Sequence, residues 1–112
     1  MQTTFEAVEE MAALDPNIQN QEEALDFVSG VLLPNLEQLN RLIVDSDSVT
    51  HCFMAADLAV TLIENYAPLL TNEEIHEAME SIKQRHKVSD ATFGLALQSC
   101  FDDLEKIALE HA

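Results

Sequence analysis

The chain has 112 residues, the size of one ordinary domain, and its 47% apolar content is enough to close a core without metal or disulfides. Its 21 acidic residues stand against 5 basic ones, for a formal net charge of -16. A surface of that sign repels phosphate backbones and anionic lipid, which argues against direct nucleic-acid or membrane-surface binding and favours a basic protein partner.

The opening stretch, MQTTFEAVEEM, has neither a cationic segment nor an apolar run, so it does not read as a signal peptide. No later stretch approaches the ~18 apolar residues of a membrane span. The expected location is the cytoplasm. Thr3 with Glu6 forms a capping box that predicts a first helix, with Phe5, Val8 and Ala12 on one face and Asp15-Pro16 as its stop.

Asn20 with Glu23 opens the next helix, whose apolar positions Leu25, Val28, Leu32, Leu36, Leu39 and Ile43 step by three or four. Pro34 falls inside it. Proline removes one backbone donor and presses on the carbonyl four residues back, here that of Gly30, so the spacing predicts a kink or two short helices meeting near Leu33.

Residues 41–53, RLIVDSDSVTHCF, place two aspartates among serines in the manner of a cation-binding loop. An EF-hand counted from Asp45 requires glycine at its sixth position and glutamate at its twelfth, and these positions hold Thr50 and Ala56. Residues 45–48 therefore read as a helix-helix turn in which Asp47 or Ser48 caps the following helix. That helix, residues 49–66, is apolar nearly all round except for a stripe of Asp57, Thr61 and Glu64, the pattern of a central helix.

Ala67-Pro68 ends it. In LLTNEEIHEAM, Thr71 caps, Glu74 reciprocates, and Leu70 is placed to staple onto Ile75. This helix runs through Met79 and Ile82 to the basic cluster Lys83, Arg85, His86 and Lys87, where cations suit the negative end of the helix dipole. Ser89 or Asp90 caps a last helix carrying Leu97, Phe101, Leu104 and Ala108. No stretch asks for a strand. The expected fold is all-α, one compact domain over residues 1–112 with about five helices, one kinked near Pro34.

Motifs for chemistry are sparse. Glu73 and His76 have the Glu-x-x-His spacing of a di-iron bundle, but no second such pair exists. His51 and Cys52 are adjacent, and side chains at i and i+1 of a helix do not face each other. Cys52 and Cys100 read as small buried hydrophobes, with a disulfide between them left open. No phosphate loop or nucleophile elbow is present. No catalytic, cofactor or metal residues are assigned.

What stands out is acidity. Like charges four apart oppose helix formation, and Glu6 with Glu10, Glu22 with Asp26, and Glu73 with Glu77 each make such a pair. Residues 1–70 carry Arg41 as their single base. These six carboxylates are the expected partner-binding residues of a cytosolic module (inhibitor, immunity-type antagonist, chaperone or adaptor) that presents acids to a basic protein surface. A self-associating structural subunit, joined through the apolar 49–66 helix as a homodimer, is the alternative, and a metal-dependent or thiol enzyme is the third reading.

Overall fold

The computed structural model describes residues 20–87 and 91–111, and among these every regular element is helical. The helix expected from Thr3 and the cap expected at Ser89 or Asp90 lie outside the described residues. The elements are α1 (Gln21–Phe27), a π-helical stretch (Val28–Leu32), α2 (Leu33–Asp45), α3 (Val49–Tyr66), a 3-10 turn (Ala67–Leu69), α4 (Asn72–His86) and α5 (Ala91–His111). Because α1 runs through the π stretch into α2, the described residues form four helical bodies.

The caps are where the side chains place them. Asn20 Oδ1 accepts from the Glu23 amide at 2.9 Å. Ser48 Oγ accepts from the His51 amide at 3.3 Å, while Ser46 Oγ accepts from the Ser48 amide at 3.2 Å and closes the turn between α2 and α3. At α4 the capping box is complete: Thr71 Oγ1 accepts from the Glu74 amide at 3.2 Å, and the Thr71 amide donates to Glu74 Oε1 at 2.8 Å. Leu70 and Ile75, on either side of it, are both buried in the core.

Pro34 does not break the helix. The chain widens just before it, where the Leu33 amide donates to the Val28 carbonyl five residues back and Pro34 falls in the first turn of α2. A proline is tolerated in a first turn, and the widened turn relieves the pressure its ring would put on the Gly30 carbonyl. The Asn35 side chain donates to the Val31 carbonyl nearby at 2.6 Å. The extra residue turns the preceding face by about 100°. Leu25, expected on the core stripe, is consequently 61% exposed. Ala24, Phe27 and Val28 are partly buried in its place, and the Phe27 ring lies 5.0 Å from that of Tyr66.

The helices form two antiparallel hairpins, α2 with α3 and α4 with α5, laid against each other so that α2 meets α4 and α3 meets α5. The sequential pair α3 and α4 lies on the diagonal and barely touches. The late turns of α3 sit beside the late turns of α5, so these two neighbours run in the same direction. Between the hairpins lies a dry core that includes Leu39, Ile43, Leu62, Ile63, Ile75, Ile82, Leu97 and Leu104, all essentially inaccessible to water. Burying a leucine or isoleucine side chain is worth roughly 1.5–3 kcal/mol, so this set drives the assembly. α3 is central in the expected sense, with eight residues buried, among them Ala55, Ala56 and Ala59, whose small side chains let neighbours approach. Its outer face is apolar only at Val49, Phe53 and Met54, which remain 38–49% exposed.

Within the basic cluster, Arg85 has a structural role. Arg85 Nη2 donates to the Ser46 carbonyl at 2.9 Å, fastening the end of α4 to the α2–α3 turn, and the same guanidinium lies against the Cys52 thiol. The partner is thus a carbonyl, not one of the chain's many acids. Lys83 and Lys87 are exposed.

Candidate functional site

Of the six carboxylates singled out in the sequence, Glu6 and Glu10 lie outside the described residues. Glu22 and Asp26 are exposed on α1, and Glu73 and Glu77 are exposed on α4. None of these four has a lysine or arginine at ion-pair distance among the described residues, where Arg41 with Glu37, at 2.6 Å on α2, does. α1 and α4 are not packed side by side, so the two pairs occupy separate surfaces.

Glu77 borders a concavity. A shallow groove between α2 and α4 is lined by Glu37, Asn40, Arg41, Val44, Asp45, Glu77 and Ser81. Its three acids come from two helices and are answered by the one cation, Arg41, already held by Glu37. Asn40 Oδ1 is buried beside it and accepts no hydrogen bond. The groove is therefore rich in acceptors. Glu37 carries a signal legible in the sequence, its helical i,i+4 spacing to Arg41, whereas Asp45 reads there as a turn residue.

A larger cleft, of about 530 Å³, opens between the last turns of α3 and the second half of α5. Its lining is Val60, Glu64, Ala67, Pro68, Asp103, Lys106, Ile107 and Glu110. Val60 and Ala67 are nearly buried and Ile107 partly so, which makes an apolar floor; Glu64, Asp103, Glu110 and Lys106 are exposed around it. Nothing local groups these acids: Glu64 belongs to the polar stripe of the 49–66 helix, and Asp103 and Glu110 lie some forty residues away along the chain.

The residues weighed for other chemistry are not brought together. Glu73 and His76 are both exposed on α4, and among the described residues no three metal-ligating side chains converge. The 45–48 turn is poorly suited to a cation, since its Ser46 carbonyl already accepts from the Arg85 guanidinium. Cys52 and Cys100 are buried free thiols. Burial pushes the Cys100 thiol up to about 11, with the Asp57 and Asp103 carboxylates and then Cys52 adding to it. Burial also raises Cys52, against the opposing hydrogen bond and charge of Arg85. The Cys52 thiol donates to the Ile43 carbonyl at 3.2 Å. Both shifts favour the protonated thiol. No helix among the described residues is long and apolar enough to cross a membrane. Compared with known proteins, the chain matches no family model, no curated protein and no solved structure.

Proposed function

We propose that this chain is an acidic, cytosolic protein-binding module, an inhibitor, antagonist, chaperone or adaptor, that presents carboxylates to a basic surface of another protein. The observation that carries the reading is the lack of internal neutralisation. Glu22, Asp26, Glu73 and Glu77 stand exposed without a lysine or arginine partner, two of the five bases are engaged by Glu37 and by the Ser46 carbonyl, and the net charge is -16. Carboxylates left in this state raise the on-rate for a cationic partner and, at an interface rim, remain solvated.

The test is a partner captured from native cell extract at low salt, followed by association kinetics across a salt series. Exposed charges are screened over about 8 Å at physiological ionic strength, so the on-rate is expected to fall steeply with salt while dissociation changes less. The double variants Glu22→Lys/Asp26→Lys and Glu73→Lys/Glu77→Lys should keep their helical circular dichroism and bind more weakly. Parent-like binding by both at low salt would refute the reading.

A second reading is self-association through α3. It draws on Val49, Phe53 and Met54, an exposed apolar patch in a stretch of helix, residues 49–56, that carries no aspartate, glutamate, lysine or arginine. A charge-free face is where two strongly acidic copies would repel least. Light scattering coupled to size exclusion decides this: a monomer at high protein concentration removes it.

A further inference from the structure

We infer that the cleft between α3 and α5 is the point of entry for a lysine or arginine side chain from a basic segment of a partner protein. This rests on the reading of the chain as an acidic protein-binding module, and it names the place where recognition is concentrated.

Three observations converge on that occupant. The first is shape and polarity. The floor is apolar, from Val60, Ala67 and Ile107, and the rim holds Glu64, Asp103 and Glu110. A long basic side chain has the same layout, with methylenes that seek apolar contact and a cationic tip that seeks carboxylates. At about 530 Å³, the cleft has ample room for one.

The second is helix polarity. α3 and α5 run in the same direction, so the last turns of both, where the helix dipole is negative, border this cleft. The third is that its acids sit where they harm their own helices. Glu64 lies in the last turn of α3 and Glu110 in the last turn of α5, positions where an anion opposes the dipole and a cation is favoured. Lys106 is the one cation in the lining, and among the described residues no carboxylate holds it at ion-pair distance. An incoming ammonium or guanidinium relieves both helix ends at once. The uncharged patch on α3 offers no such complementarity, and the α2–α4 groove has its own arginine seated in it.

The experiment uses the full chain and a hexalysine peptide at low salt, with affinity from calorimetry and location from amide chemical-shift mapping. Shifts are expected to centre on Val60, Glu64 and Ile107. The variant Glu64→Gln/Glu110→Gln should bind hexalysine about tenfold more weakly, as two lost rim pairs predict, and yet melt at a higher temperature because two unfavourable helix-end charges are gone. The matched control Asp45→Asn/Asp47→Asn makes the same change in net charge at the exposed α2–α3 turn, the opposite end of α3 from the cleft, and should lose less than about twofold. Lys106→Gln should strengthen binding about threefold by removing the competing cation.

Equal losses in the cleft and control variants, or shifts centred on α1 or the α2–α4 groove, overturn the cleft as the entry point while leaving the acidic-module reading standing. Unchanged affinity in both the cleft variant and Lys106→Gln overturns it as well. Absence of hexalysine binding also overturns it, and the salt series with the captured partner then judges the acidic-module reading separately.

Discussion

Replacing Thr71 by alanine isolates what a single hydroxyl does at the start of α4. The parent capping box contains two reciprocal bonds, one into Thr71 Oγ1 at 3.2 Å and one from the Thr71 amide to Glu74 Oε1 at 2.8 Å. Thr71→Ala deletes the first and leaves the Glu74 amide to water, because the site is exposed. Loss of such a cap costs about 1 kcal/mol. With an unfolding entropy of roughly 2.1 cal/mol/K per residue, a chain of 112 residues has a total near 0.24 kcal/mol/K, so the expected drop in Tm is about 4 °C. Thr71→Ser keeps the hydroxyl and should melt within about 1 °C of the parent, since serine caps at least as well as threonine. Melting followed by circular dichroism at 222 nm, checked against urea unfolding, measures both. If Thr71→Ala leaves Tm unchanged, the hydroxyl is not supporting the helix; if Thr71→Ser costs as much as Thr71→Ala, the methyl group and not the cap carries the effect.

Two further outcomes follow from particular sites. Gly30 lies in the π stretch with no positive φ, and a Cβ built there meets nothing within 4 Å, so Gly30→Ala should raise stability by about 0.5–1 kcal/mol in urea unfolding, through lower freedom of the unfolded chain; a loss would mean that the widened turn depends on glycine. The Cys100 thiol, raised from 9.0 to about 11 by burial and nearby carboxylates, favours its protonated form in the fold. Its stabilising contribution is therefore fully present below pH 9 and is lost as pH rises from 9 toward 11. Urea midpoints should fall over that interval in the parent and fall less in Cys100→Ala, and equal slopes would show that Cys100 ionises as freely in the fold as outside it.

Much of this architecture could be read from residues a few places apart. Caps are local: Asn20, Ser48 and Thr71 each act on an amide three residues ahead, so the starts of α1, α3 and α4 are written into short stretches of chain. The turn at 45–48 is likewise built from its own serines. The apolar steps of the last helix survive as Leu97 and Leu104 in the core, with Phe101 and Ala108 packed against it. Leu25 shows where spacing alone fails, because the chain answers Pro34 by widening the turn just before it, and the face upstream rotates out of register.

The site is a matter of neighbours. Glu22 with Asp26 and Glu73 with Glu77 were visible as pairs because each lies along one helix, but whether any acid joins acids of another helix depends on which helices pack together. That choice is made by the combined burial of all the apolar faces, which puts α3 beside α5 and on the diagonal from α4. Only that arrangement brings Glu64 to the same cleft as Asp103 and Glu110, and sets the last turns of two helices along it. Charge and helix position were determined by the sequence through short-range hydrogen bonding and composition, whereas the convergence of carboxylates was decided by tertiary packing, since it joins residues that no local interaction connects.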